Sequence, residues 1–210
     1  MPVTVKICGL TGPADAGVAV QAGADFLGFV FFPASPRYVG PAAVGWIRAV
    51  TGAPKVGVFR DQDPEWIARV REEAGLALVQ LHGHESPAMC AGLGGRERVI
   101  KALGVGEAID WGAVAEYARV ARVLFDTGSP SGGGTGQRFD WGLLSGAPPD
   151  LAFWLAGGLT AANAAAAIAK VRPAGLDVAS GVEAAVGRKD AGKIGAFIAA
   201  VRMATAAPKS

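Results

Sequence analysis

Few side chains in this sequence are suited to acid–base chemistry, and two of them make a usable pair. Cys8, in VKICGL, carries a thiol with an ordinary pKa of about 8.5, so nearby positive charge would make thiolate available as a base near neutral pH. Asp126, in VLFDTGSP, could donate a proton if an enclosed site kept its carboxyl protonated. A base and an acid of this kind could move protons on opposite sides of one small substrate. Each also has a plainer reading. Cys8 could be a small buried hydrophobe, and Asp126 a loop or cap residue in a segment rich in turn formers.

Other residues could hold a substrate. Arg37 sits between Ser35, Pro36 and Tyr38 in a stiff loop, where its guanidinium could bind a carboxylate through two hydrogen bonds. As a solvated surface charge it would do nothing of the sort. His82 in LHGHE could bond to or position a substrate, or serve only structure; His84 is too close to it in the same loop to make a ready metal pair, so no metal is expected. The glycines in LAGGLT (Gly157, Gly158) and ASGVE (Gly181, beside Ser180) could cradle a phosphate with backbone N–H groups, although one such pair alone marks only a tight turn.

The elements that would bring these residues together follow a regular alternation. Apolar, β-rich runs begin near residues 3, 25, 55, 77, 98, 121, 151 and 175, and most are apolar on both faces, as strands covered on both sides must be. Helical stretches follow at about 14–22, 41–50, 64–74, 87–93, 107–118, 140–145, 161–171 and 190–201. Asp63 before Pro64, Ser86 before Pro87 and Thr160 supply start signals. Eight βα units in this length predict an α/β fold of one domain, a closed (β/α)8 TIM barrel over 1–203 with a tail at 204–210. An open doubly wound sheet competes, but CGLTGP after the first strand lacks the GxGxxG fingerprint.

In such a barrel Cys8, Arg37, His82, Asp126 and the glycine pairs all fall at the strand ends where reactive groups gather. The loops after strands 7 and 8 are the usual phosphate position. Strand parity turns Lys6, Gln80 and Leu124 inward with Cys8, His82 and Asp126, and Ile7, Leu81 and Phe125 toward the helices. It also suggests inward Lys101 and Asp177, the two lysines balancing Asp126 and Asp177. The stretch GSPSGGGTGQRFDW at 128–141 could be floppy chain or a water-excluding lid over the mouth.

Composition removes several function classes. Twenty Lys and Arg against 18 Asp and Glu leave a net charge of +2 without a basic block, so nucleic acid is not an expected partner. No apolar run is long enough to suggest a membrane span. Cys8 and Cys90 show no CxxC spacing, and MPVTVKICGL lacks signal-peptide features, so a cytoplasmic enzyme is expected.

The motifs KICGL, GFVFFPASPRYV, VQLHGHE, FDT…GGTGQRFDW, LAGGLTAAN and DVASGVE…GRKD run from the first strand to the last helix. Together they resemble phosphoribosylanthranilate isomerase, a family of tryptophan biosynthesis. The resemblance implies an Amadori rearrangement of N-(5-phosphoribosyl)anthranilate without metal or organic cofactor. It implies Cys8 as general base, Asp126 as general acid and Arg37 on the anthranilate carboxylate. Gly157, Gly158, Ser180 and Gly181 would surround the phosphate; from their own positions, His82 and Asp177 are further expected substrate contacts. The expected partner is thus a phosphorylated small molecule, bound by a monomer or homodimer. Ala179 stands where the family motif usually has serine, and Val186 where proline is common; neither touches Cys8 or Asp126. Two rival readings are the related isomerase of histidine biosynthesis, whose proton pair is two aspartates, and a catalytically silent phosphate-binding module.

Overall fold

The computed structural model describes residues 2–127 and 139–206. Eight parallel strands close a barrel: β1 (Thr4–Ile7), β2 (Phe26–Val30), β3 (Lys55–Phe59), β4 (Leu78–Leu81), β5 (Val99–Val105), β6 (Arg122–Thr127), β7 (Phe153–Leu155) and β8 (Gly175–Val178). Each begins within two residues of the position expected from the sequence. Around them lie α1 (Pro13–Gln21), α2 (Val44–Ala49), α3 (Pro64–Ala74), α4 (Pro87–Gly92), α5 (Gly95–Arg98), α6 (Trp111–Val120), α7 (Ala161–Val171) and α8 (Ala191–Ala206). A small antiparallel ribbon of β9 (Glu183–Ala185) and β10 (Arg188–Lys189) follows β8.

Parity sorts the core as the sequence implied. Ile7, Leu81 and Phe125 pack on the helix side, while Val56, Leu78, Ile100, Leu124 and Trp154 fill the barrel interior. Caps fix several helix starts: Asp63 accepts from the N–H groups of Glu65 and Trp66 at 2.9 and 3.0 Å, and Ser86 accepts from Met89 at 3.2 Å.

Some elements differ from expectation. The helix expected from 107 starts at Trp111, because Asp110 is the residue able to accept from Gly112 and Ala113. The sixth unit carries a 3-10 segment, Trp141–Gly146, where two glycines in WGLLSG weaken α-helix. The α8 helix continues to Ala206, so residues 204–206 are not tail; 207–210 lie outside the described residues. The stretch at 128–141, read as floppy chain or a lid, falls largely outside them as well.

Lys101 corrects the parity reading. It shares its face with Val99, on the helix side, and its ammonium is buried against Glu85 at 2.8 Å and over the Tyr117 ring on α6. It therefore balances Glu85, not Asp126 or Asp177.

Candidate active site

At the C-terminal ends of the strands lies a cavity, open to solvent, whose wall includes Cys8, Arg37, His82, Asp126, Gly157, Gly158, Asp177 and Ser180. Of the residues expected to catalyse or to bind substrate, Gly181 is the one missing from this wall. A Cβ on it would come within 1.8 Å of the Leu159 carbonyl oxygen, so the turns after β7 and β8 touch backbone to backbone. Gly157 and Gly158 both have positive φ, 89° and 59°. A side chain at 157 would meet Thr127 Oγ1 at 2.2 Å and Asp126 Oδ1 at 3.1 Å, so glycine there keeps space beside the acid open. Asn163 fixes the turn from the other side. Its amide donates to the Gly158 carbonyl and its oxygen accepts from Thr160 N–H, both at 2.9 Å.

Cys8 is buried next to Lys6, whose Nζ sits 3.0 Å from each carboxylate oxygen of Asp177. Strand register causes this pairing, since Lys6 and Asp177 are direct partners between β1 and β8. Burial alone would lower the lysine's pKa, yet Asp177 and the neighbouring sulfur hold it above the usual value. For the thiol the balance runs the other way. Burial pushes Cys8 up and Asp177 pushes it further, against the downward pull of Lys6 and Lys189. The electropositive setting expected to release thiolate near neutrality is thus present but outweighed.

On the opposite side, Asp126 Oδ1 accepts from Thr127 N–H at 2.7 Å, and Oδ2 lies 3.2 Å from His82 Nε2. His84 takes no part; it is solvent-exposed, with its ring near Asp61. Among the described residues no group of three or more His, Cys, Asp or Glu could hold a metal.

Arg37 is buried, which removes its surface-charge reading. Its two-bond edge is already occupied: Nε and Nη2 donate to Glu183 at 2.7 and 2.8 Å. A substrate carboxylate would meet the remaining Nη1 side. Glu183 also accepts from Lys189 Nζ at 3.0 Å. This lowers the glutamate's pKa, the attraction of the two cations outweighing burial.

Comparison with known proteins decides the affiliation. Residues 5–200 match the family described as N-(5'phosphoribosyl)anthranilate (PRA) isomerase. The chain belongs to this family. The N-(5'-phosphoribosyl)anthranilate isomerase of Pelobacter propionicus is 49% identical over 199 residues, covering 93% of this chain and 94% of the relative. That of Geobacter sp. strain M21 is 48% identical over 200 residues, with 93% and 96% covered. The crystal structure of the Thermotoga maritima phosphoribosylanthranilate isomerase superposes with a TM-score of 0.88 at 40% identity, covering 96% and 99%. A family structure in complex with reduced 1-(o-carboxyphenylamino)-1-deoxyribulose 5-phosphate gives 0.82 at 38% identity, with 96% and 99% covered.

Within this isomerase, sequence reasoning passed over Glu183 and Lys189. The SGVE…GRKD motif contained both, but only the β9–β10 ribbon brings them together behind Arg37. It also left Gln80 without a role, although parity had turned that residue inward.

Proposed function

We propose that the cavity converts N-(5-phosphoribosyl)anthranilate to 1-(2-carboxyphenylamino)-1-deoxyribulose 5-phosphate, with Asp126 as general acid and Cys8 as general base. The observation carrying this reading is that both residues, reached from β6 and β1, line one cavity that also holds the glycine turns after β7 and β8. A silent phosphate binder would have no need of that convergence. The aspartate pair of the histidine-pathway isomerase is replaced here by Cys8 and Asp126.

The phosphate is held by backbone N–H groups around Gly157, Gly158 and Ser180, with Gly181 setting how closely the two turns approach. Arg37 meets the anthranilate carboxylate through its Nη1 side. Asp126 gives its proton to the ribose ring oxygen as the C1′–O bond breaks and its electron pair goes to that oxygen. The nitrogen lone pair then forms the C1′=N bond of the Schiff base. Cys8 as thiolate removes the C2′ proton, and the C–H pair becomes the C1′=C2′ bond of an enolamine while the C=N pair returns to nitrogen. Protonation at C1′ and loss of the hydroxyl proton give the ketone. The positive charge on the Schiff base increases the acidity of C2′–H and attracts thiolate, which compensates for the raised thiol pKa.

The substrate is a phosphorylated small molecule, handled by a cytoplasmic monomer or homodimer. The unpaired thiols Cys8 and Cys90 suit a reducing compartment. Among the described residues no helix is long and apolar enough to cross a membrane.

Turnover of phosphoribosylanthranilate, followed by loss of its fluorescence, tests the reading. Wild type should turn over, and Cys8→Ser and Asp126→Asn should each lower kcat by roughly 10² or more, the usual scale for acid–base groups. An inactive wild type defeats the function, and near-normal kcat in either variant removes that residue's role.

A further inference from the structure

Gln80, on β4, lines the cavity at 1% exposure, and its side-chain amide is only half used. Nε2 lies 3.2 Å from His82 Nδ1, whereas Oε1 is buried with no hydrogen-bond partner among the described residues. His82 in turn places Nε2 3.2 Å from Asp126 Oδ2.

We propose that Gln80 and His82 form a relay that prepares Asp126 for proton donation, in which Gln80 fixes the His82 tautomer and presents its free carbonyl to a sugar hydroxyl of the substrate. This rests on the reading of Asp126 as the acid.

A neutral imidazole has one N–H and one bare nitrogen. Once Asp126 has given up its proton it can only accept, so the nitrogen facing it then carries the ring proton and Nδ1 is the acceptor for the Gln80 amide N–H. A second proton on Nδ1 would point straight at that amide N–H, so the relay works with the neutral ring. This matters to the chemistry. An imidazolium would hold Asp126 as a carboxylate with no proton to give. A neutral Nε2–H, together with Thr127 N–H at Oδ1, is instead in place for the charge that appears as Asp126 releases its proton, with no reorganisation at that moment. Among the described residues, Asp177 from β8 faces both Asp126 and His82 and is paired with Lys6 from β1, with the Cys8 thiol beside that pair.

The same amide orientation explains the orphan oxygen. A buried carbonyl without a donor is costly, and in a cavity built for a ribose chain the missing donor is a hydroxyl. Gln80 and His82 are thus positioning residues for the acid, and Gln80 also contacts the sugar.

Nitrogen-15 NMR of histidine-labelled enzyme tests the first half directly. The chain has two histidines, and His84→Asn leaves only His82. At pH 8 the wild-type ring should be the neutral Nε2–H tautomer; an Nδ1–H tautomer or an imidazolium overturns the relay. That readout does not depend on what Asp126 does in turnover, so it fails separately from the function reading, which Asp126→Asn tests. Gln80→Glu places an acceptor at Nδ1 and should move the proton there, lowering kcat by about tenfold or more; unchanged kcat in the folded variant contradicts the relay. Gln80→Met should weaken binding of reduced 1-(o-carboxyphenylamino)-1-deoxyribulose 5-phosphate by about fivefold or more, and undiminished affinity removes the hydroxyl contact. Amide dispersion in the same spectra shows whether each variant is folded, and the wild-type tautomer decides the relay if neither is.

Discussion

Gly28 on β2 stands where a side chain would collide with Cys8, the proposed base. A Cβ at this position would lie 2.8 Å from Cys8 Sγ, 3.0 Å from Cys8 Cα and 3.0 Å from Lys6 Cε. Non-bonded heavy atoms settle at about 3.5–4.0 Å, so Gly28→Ala requires Cys8 to retreat by roughly 1 Å. Because the Cα is crowded as well as the sulfur, turning the Cys8 side chain alone does not relieve the clash, and β1 itself must shift. Overpacking of this kind costs about 1–3 kcal/mol. A misplacement of about 1 Å costs about 10² in rate. The expected outcome is a folded enzyme with a lower melting temperature, kcat down by about 10² in the fluorescence assay, and a much smaller change in KM, since the phosphate turns belong to other strands. Gly17→Ala on α1 is the control. Its Cβ would meet nothing within 4 Å, so activity should not change. A folded Gly28→Ala enzyme whose kcat stays within about threefold of wild type would refute the claim that Cys8 acts from this position.

Burial should make Cys8 slow to ionise. With Cys90→Ala as background, iodoacetamide should alkylate Cys8 at a rate that keeps rising with pH past the ordinary thiol value of about 8.5. A midpoint below that value would show that Lys6 and Lys189 win. Arg37→Ala should act on kcat/KM mainly through KM, because it removes a carboxylate contact; an unchanged kcat/KM takes Arg37 out of the site. Glu183→Ala should do more, costing about 3–5 kcal/mol of stability by leaving Arg37 and Lys189 buried without their anion. The glutamate's folded pKa lies below its unfolded value of about 4.3, so its contribution is present above that pH and lost as pH falls through the folded value. In urea melts the wild-type advantage over Glu183→Ala should therefore shrink in acid, and a constant difference would contradict the assignment.

Strand positions and most helices were legible because both signals are local: runs apolar on both faces, and caps such as Asp63 and Ser86. The end of the barrel to which Cys8 and Asp126 belong followed from the same alternation. Lys101 was misread because its direction depends on strand parity counted from an uncertain start; with Val99 as the first residue of β5, the lysine turns to the helices and meets Glu85. The 3-10 turn at Trp141–Gly146 was hidden by an apolar pattern that does not distinguish the two helix types over six residues. Glu183 and Lys189 were out of reach for another reason. Their partner Arg37 is far away in sequence, and only barrel closure brings β8 and its ribbon beside the loop after β2.

The buried charges sort into a pattern that the chemistry requires. Among the described residues Lys6, Arg37, Lys101 and Lys189 are buried, as are the carboxylates Glu85, Asp126, Asp177 and Glu183. Lys6 takes Asp177, Lys101 takes Glu85, and Arg37 and Lys189 share Glu183. Each simple pair is neutral, as burial demands. The shared glutamate leaves one cation in excess, next to the Arg37 side that faces the cavity, where an incoming carboxylate would complete the balance. Among the described residues Asp126 has no lysine or arginine within ion-pair distance, only His82 and a backbone N–H. Under the proposed mechanism the surplus cation and Asp126 are two parts of one arrangement, the first meeting the substrate's carboxylate and the second giving up its proton.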